Sequence, residues 1–333
     1  MIRIGLLGAT GIAVKAVLTP AALRADTAVV TVAAGDVGRA RKLAATHGVP
    51  HVHESYDALL SDPDVDAVYV STHPAGHLSP VLAAVRAGKH ALVEKPLCLS
   101  AREAELLSLT QRRSGVVVRE AVMTECHPWQ RELSGLAAEH GLGALREVRT
   151  DVRFPRSSRL GYRARPDLGG GVFHDVAPYW LQMLQDVLGL SAETSGHSAF
   201  DGPAGTDSEF TAGLTYPDGV RATLECALDG PYRAVHVLRY ARGDVTVRDF
   251  LLPAAGRLRL NLLVEPSGAA PRIVTYDPVD LYVAQLGAFI ESVVSGEDSC
   301  LDAAVERARR TEEIYVRALG AAGRPAVETG EAA

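Results

Sequence analysis

The chain opens with a short apolar run, Ile2 to Leu7, which stops at Gly8-Ala9-Thr10-Gly11-Ile12-Ala13 and passes directly into a helical pattern from about Gly11 to Leu23. A strand that ends in glycines and gives way at once to a helix is the start of a β–α unit. The alternation then continues. Ala28 to Ala33, Val65 to Ser71, Ala91 to Val93 and Val116 to Arg119 read as strands, separated by helical patterns at Arg39 to Thr46, His77 to Ala87 and Ser100 to Gln111. Ser100 with Glu103 three residues on is a capping box. Continuous apolar strands joined by helices predict a doubly wound parallel α/β sheet over residues 1–121.

From residue 122 the pattern changes. Helices are predicted at Pro128 to Glu139 and Phe173 to Leu188, and strands at Leu145 to Phe154, Glu209 to Thr215, Val220 to Ala227, Ala234 to Tyr240, Val245 to Phe250, Leu258 to Val264 and Ile273 to Tyr276. Turn signals such as Pro217-Asp218-Gly219 and Arg242-Gly243-Asp244 separate the later strands. Residues 122–333 therefore read as an α+β domain with a large, open, mostly antiparallel sheet. Two helices close it, Leu281 to Ser295 and Asp302 to Leu319, and the tail after Gly323 is expected to be disordered.

Composition bounds the function. A length of 333 residues suits two domains, and 47% apolar residues can fill their cores. A net charge of −6 argues against a nucleic-acid partner, because a phosphate backbone demands a basic face. Cys98, Cys126, Cys226 and Cys300 lie far apart, with no metal-ligand spacing, which reads as reduced thiols in a cytoplasmic protein and no metal. The N-terminus lacks a secretory signal, and no stretch reaches about 18 apolar residues, so no membrane association is expected.

The first turn is a candidate dinucleotide site. Gly8 fills the first fingerprint position and Ala13 the third, while Thr10 replaces the middle glycine beside Gly11; Ile12 completes the turn. Phosphate binding at the following helix N-terminus is favoured over a plain structural turn. The end of the second strand should choose between NAD and NADP. Ala34 and Gly35 are small and neutral there; Asp36 stands one or two residues late and would cap the next helix; Arg39 is either a phosphate ligand or a solvated helix residue. The choice stays open. Lys95 ends a buried strand, where doubly wound sheets bind ligands, so an ammonium for a reacting oxygen is favoured over a surface ion pair with Glu94. Asp175 and Tyr179 share one helix face at i, i+4, and a half-buried core tyrosine is an equal alternative for Tyr179.

Four stretches together resemble the glucose-fructose oxidoreductase / inositol dehydrogenase (Gfo/Idh/MocA) family. They are the Gly8 turn, Ser71-Thr72-His73-Pro74-Ala75-Gly76-His77, Gly88-Lys89-His90-Ala91-Leu92-Val93-Glu94-Lys95-Pro96, and Gly169-Gly170-Gly171-Val172-Phe173-His174-Asp175-Val176-Ala177-Pro178-Tyr179. The resemblance covers nearly the whole chain, including Tyr282, Gln285 and Phe289 near its end. It implies an N-terminal Rossmann domain (1–121) binding NAD(P)(H), a C-terminal domain (122–333) that lines the substrate site, and a homo-oligomer, dimer or tetramer, built through the C-terminal sheet. It implies Lys95, Asp175 and Tyr179 as catalytic residues and a cis Lys95–Pro96 bond. Thr72, His73, His77 and Glu94 would lie near the cofactor with Gly8, Thr10, Gly11, Ile12, Ala34, Gly35 and Lys95. His127, Arg163, His174 and Tyr179 are the substrate-side candidates. Bland alternatives stand beside several: helix capping for His127, surface solvation for Arg163 and Arg165, packing for His174 and core for Trp129.

The tyrosine at 179, with Gln182 where an acid is frequent, puts a histidine–aspartate relay in doubt. It resembles the branch with glucose-fructose oxidoreductase, dihydrodiol dehydrogenase and the nucleotide-sugar 3-ketoreductases. The resemblance thus implies hydride transfer between a nicotinamide and a ring carbon of a sugar, first a nucleotide-linked ketosugar, then an amino sugar, in secondary-metabolite (antibiotic) biosynthesis. Two other classes remain: an NAD-dependent glycosidase on the same fold, and a non-catalytic cofactor-binding regulator, which retention of Lys95, Asp175 and Tyr179 disfavours.

Overall fold

The computed structural model describes residues 1–155, 161–296 and 299–325. The first half runs β1 (Ile2–Leu7), α1 (Gly11–Ala13), α2 (Thr19–Ala22), β2 (Thr27–Ala33), α3 (Val37–His47), β3 (His51–Val52), α4 (Tyr56–Leu60), β4 (Ala67–Val70), α5 (Leu78–Arg86), β5 (His90–Glu94), α6 (Ala101–Gln111) and β6 (Val118–Ala121). There follow α7 (Pro128–Glu139), β7 (Leu145–Arg153), α8 (Phe173–Leu188), β8 (Glu193–His197), β9 (Glu209–Thr215), β10 (Arg221–Ala227), β11 (Arg233–Tyr240), β12 (Gly243–Arg248), β13 (Leu260–Pro266), β14 (Arg272–Tyr276), α9 (Leu281–Ser295) and α10 (Ser299–Ala321). The described residues divide into two compact units, Met1–Val122 with Tyr282–Arg309, and Met123–Leu281 with Arg310–Pro325.

In the first unit six parallel strands take the order β3-β2-β1-β4-β5-β6, the doubly wound arrangement that the sequence predicts. The strands are apolar throughout because both faces are covered. One face buries Ile4, Leu6, Tyr69 and Leu92 against Ala13, Ala16, Val17 and Phe289; the other buries Val68, Val70, Ala91 and Val93 against Leu59, Val81, Leu107 and Val305. The helical run after β1 widens to a π turn over Val14–Leu18, next to Pro20, which lacks the N–H for a regular helical bond. Ser100 caps α6 through the Glu103 N–H, and Glu103 Oε2 reaches back to the Leu99 N–H.

The closing helices behave differently from the sequence expectation, which gave everything after 121 to the second domain. Leu286, Phe289 and Ile290 of α9, and Leu301, Ala304, Val305 and Ala308 of α10, are core residues of the first unit. Their apolar stripes complete the two faces of its sheet. The β3 and α4 elements were also not predicted, being too short for a clear period.

In the second unit eight strands take the order β14-β13-β12-β11-β7-β10-β9-β8. All pairs are antiparallel except β7 with β10. One face packs Val148, Val152, Phe210, Leu224 and Leu238 against Trp129, Leu133, Phe173, Val176, Trp180 and Leu184 of α7 and α8. The opposite face carries ion pairs, with Asp151 taking Arg153 at 3.0 Å and Arg233 at 2.6 Å, and Glu147 taking Arg239 at 3.1 Å. Strand β8 escapes sequence reading because ETSGH offers no apolar alternation. Arg324 donates to the carbonyls of Phe200 and Gly205; the rest of the tail set apart after Gly323 lies outside the described residues from 326 on.

Burial of Phe289, only 1% exposed, ties α9 to the first sheet. Phe289→Ala is expected to cost about 3–5 kcal/mol in urea unfolding, as deleting a buried phenyl does. A loss under about 1 kcal/mol would contradict a core role for this helix.

Candidate functional site

Parallel pairing brings the carboxyl ends of β1, β2, β4 and β5 to one edge of the first sheet, and the strand order reverses at β1. Gly8 lies there at φ +118°, and a Cβ on it would come 2.9 Å from Ser71 Oγ and 3.1 Å from the Ser71 carbonyl. Only glycine passes. Thr10, the residue in place of the middle glycine, folds its hydroxyl inward. It donates to Ser71 Oγ at 2.8 Å and accepts from the Ala13 N–H at 3.2 Å. A Cβ on Gly11 would meet nothing within 4 Å, so the backbone beside the helix start is open. This cradle fits a dinucleotide pyrophosphate.

At the end of β2, Asp36 caps α3 by accepting from the Arg39 N–H at 3.2 Å, the role the sequence suggests for it. The Arg39 guanidinium turns back to the Ala9 carbonyl at 3.2 Å, within the glycine turn. Ala34 is buried beside Gly35. Ala34 and Gly35 carry no carboxylate, and that of Asp36 is engaged at the start of α3.

After β4, Thr72 Oγ1 donates to the Gly76 carbonyl at 2.9 Å, and the His73 ring covers Gly76, where a Cβ would meet it at 2.9 Å. His77 is 1% exposed. Its Nδ1 lies 2.8 Å from the Pro96 carbonyl and its Nε2 3.2 Å from that of Thr72. Burial pushes its pKa down to about 4 against the pull of those carbonyls, and a neutral ring, with a single N–H, donates to one of the two. At the end of β5, Glu94 accepts from the Tyr69 hydroxyl, Lys95 is half-buried, and the Lys95–Pro96 peptide is cis.

The second unit presents Asp175 and Tyr179 from α8. Asp175 Oδ2 accepts from Arg163 Nε at 2.8 Å, and Oδ1 lies 3.4 Å from the Tyr162 hydroxyl. Burial lowers the Arg163 pKa, but the Asp175 carboxylate more than offsets this and leaves it raised. Arg163 thus anchors Asp175 rather than lying solvated on the surface. The triple glycine makes this possible. A Cβ on Gly170 would overlap the carbonyls of Tyr162 and Arg165, and one on Gly171, at φ +104°, would overlap Asp207 Oδ1.

Asp207 was not singled out by sequence. Its Oδ2 accepts from the Phe173 N–H at 2.7 Å and its carbonyl from Val172 at 3.0 Å, so it caps the start of α8. Burial raises its pKa to about 7. His174 is buried in the aromatic cluster of Phe173 and Tyr315, and burial lowers its pKa to about 4, which is the packing alternative. His127 Nδ1 accepts from the Trp129 N–H at 3.4 Å and caps α7. Gln182 is buried between Gln130, Thr124 and Asp186, its Nε2 2.7 Å from both Gln130 Oε1 and Asp186 Oδ2. It serves an amide network, with no relay through it. Arg165 pairs with Asp167 on the surface. Lys95 belongs to one unit and Asp175 with Tyr179 to the other. Among the described residues no cluster suits a metal ion, and no helix is long and apolar enough to cross a membrane.

Residues 2–122 match the family model of an oxidoreductase family with an NAD-binding Rossmann fold, and residues 131–244 match the GFO/IDH/MocA C-terminal domain. The chain belongs to the Gfo/Idh/MocA oxidoreductase family. Within it, the chain is 32% identical to D-xylose 1-dehydrogenase (NADP(+)) 2 of Haloferax volcanii, across 93% of this chain and 95% of that one. It is 33% identical to dTDP-3,4-didehydro-2,6-dideoxy-alpha-D-glucose 3-reductase of Streptomyces violaceoruber, across 88% and 85%. The 3-ketoreductase KijD10 of Actinomadura kijaniata, solved with NADP and TDP-benzene, superposes with a TM-score of 0.87 at 26% identity, across 95% and 97%. This Gfo/Idh/MocA chain is thus an NAD(P)-type oxidoreductase of a family that acts on sugars.

Its buried titratable groups set opposing pH effects in the family fold. His77 and His174 resist protonation in the folded state, so their contribution is present above about 6.5 and lost as pH falls through about 4. Asp207 is protonated when folded, so its contribution is present below about 3.8 and lost as pH rises through about 7. Asp207→Asn should therefore gain stability relative to the parent at pH 8 compared with pH 5 in urea unfolding. The same difference at both pH values would refute a buried neutral Asp207.

Proposed function

We propose that the chain transfers hydride between NADP(H) and a ring carbon of a nucleotide-linked ketosugar, as a 3-ketoreductase. Lys95 carries this reading: an ammonium at the carboxyl end of β5, two strands from the glycine turn, in a chain similar over most of its length to a dTDP-ketosugar 3-reductase. The first unit, 1–122 with 282–309, holds the cofactor, and the second unit holds the sugar. The nicotinamide, when bound, supplies or takes the hydride. Lys95 donates a hydrogen bond to the reacting oxygen and offsets the negative charge that develops there. Tyr179 gives or takes the proton of the sugar hydroxyl. Asp175 is engaged by Arg163, so it orients and does not shuttle protons. Arg39 at the glycine turn, with neutral Ala34 and Gly35, favours the 2′-phosphate of NADP.

A homo-oligomer, dimer or tetramer, formed through the charged open face of the eight-stranded sheet, completes this reading, as does a cytoplasmic setting, which Cys98, Cys126 and Cys226, none of them in a disulfide, support. Size-exclusion chromatography with light scattering tests the assembly.

The decisive assay mixes the protein with NADPH and dTDP-3,4-didehydro-2,6-dideoxy-α-D-glucose, with D-xylose and NADP as the comparison. Loss of nicotinamide absorbance with the nucleotide sugar is expected. Release of free sugar without net cofactor change would replace this reading with a glycosidase. Lys95→Ala should lower turnover by about 10²–10³ with NADPH affinity retained, a loss typical for a group that stabilises developing charge; unchanged turnover would end its assignment. Arg39→Ala should weaken NADPH binding about tenfold or more and leave NADH binding nearly as before, since only the phosphate contact is lost. Equal losses for both would remove Arg39 from cofactor choice.

A further inference from the structure

Glu120, at the end of β6, is 4% exposed and accepts three hydrogen bonds. Its Oε1 takes the Leu97 N–H at 2.8 Å, and its Oε2 takes Arg307 Nε at 3.0 Å and Nη2 at 2.8 Å. Arg307 lies on the part of α10 that belongs to the first unit and is 6% exposed. The carbonyl of Pro96 belongs to the same peptide group as the Leu97 N–H. That carbonyl faces His77 Nδ1 at 2.8 Å. Both polar atoms of a single peptide, the one immediately after Lys95–Pro96, are therefore held by buried side chains.

The geometric consequence follows from the backbone. The pyrrolidine ring fixes φ of Pro96, and clamping the Pro96–Leu97 peptide plane fixes its ψ. On the other side, Glu94 is tied to β6 by the register Glu94↔Ala121 and to Tyr69 by its carboxylate. Lys95 is thus suspended between two fixed points. Stability alone does not account for the ion pair. Taking a carboxylate and a guanidinium out of water is costly, and apolar replacements of similar volume are often neutral or stabilising. Leu301, Ala304, Val305 and Ala308 already dock α10 on this sheet. What the pair adds is an immobile acceptor for the Leu97 N–H.

We propose that Glu120 and Arg307 are positioning residues for Lys95, acting through the Pro96–Leu97 peptide. This rests on the reading of Lys95 as the residue that meets the reacting oxygen. It has a readout that needs no substrate. Lys15, Lys42, Lys89 and Lys95 are the only lysines of the chain. Lys15 and Lys42 are exposed, and Lys89 Nζ is bound to the carbonyls of Asp62 and Val65 at 2.9 and 2.6 Å. Competitive labelling of the full-length protein with trace acetic anhydride from pH 7 to 11, read by mass spectrometry, gives the reactivity profile of Lys95 against Lys42 as internal standard.

In the parent, Lys95 should label at least about threefold more slowly than Lys42, because it is half-buried and held. In Arg307→Met the ratio should rise to within about twofold of unity, with Lys15 and Lys89 unchanged, and Arg307→Lys, which keeps the charge but not the two-pronged grip, should restore only part of the parental profile. Glu120→Leu/Arg307→Met removes both charges and the acceptor together, and should shift Lys95 in the same way if Arg307→Met alone does not fold. An unchanged Lys95 profile in a folded variant overturns the proposal, as does a parental Lys95 that already labels like Lys42. Failure of both variants to fold also overturns it, because the pair is then required for stability itself. The Lys95→Ala turnover assay decides the role of Lys95 separately, so either idea can fall without the other.

Discussion

Parallel pairing in the first sheet is the constraint on which the cofactor side depends. Register aligns Leu7 with Val70 and Val70 with Val93, so strands β1, β4 and β5 end side by side. Whatever follows those strands must emerge at one edge. Gly8, Ser71 and Lys95 are therefore neighbours by topology, before any side-chain contact is considered. Burial on both faces makes a register slip costly, since it would expose an apolar row. The glycine turn and the lysine are the polar endings of strands whose interiors have no freedom to move.

The second unit relies on a different device, the close approach of backbone to backbone. Gly170 lets the chain cross over the carbonyls of Tyr162, Arg163 and Arg165, and Gly171 admits the Asp207 carboxylate to the start of α8. That crossing carries Arg163 to Asp175 and leaves the carboxylate ion-paired at 7% exposure. A carboxylate held in this way is a fixed negative charge beside the tyrosine one turn along the helix. The same helix turns His174 the other way, into an aromatic cluster where it stays neutral. One residue of helix rotation separates an ion-paired carboxylate from a ring packed in an aromatic core.

Several features were legible in the residues themselves. The helices Pro128–Glu139, Phe173–Leu188 and Leu281–Ser295 match their apolar periods, and the Ser100 cap follows its motif. The family motifs pointed to the sheet type and to the oxidoreductase class. The elements β3 and α4 were not legible because they hold hardly more than one period each, and β8 because ETSGH lacks apolar alternation. Helix α9 and the first half of α10 were given to the second domain for a related reason. An apolar stripe says that a helix is covered but not by which sheet.

By itself the sequence determined the local grammar of this protein: strand and helix periods, caps, the glycine turn, the lysine at a strand end, and the i, i+4 placing of Asp175 and Tyr179. These are set by backbone geometry over a few residues, so they can be read within a short window. Only the tertiary structure decided which charges are paired. Arg163 reaches Asp175 through a glycine crossing, Asp207 reaches α8 from 34 residues away, and Arg307 reaches Glu120 from 187 residues away. Those partnerships arise from burial and close packing between distant segments, where desolvation makes a partner obligatory without any local pattern to name it.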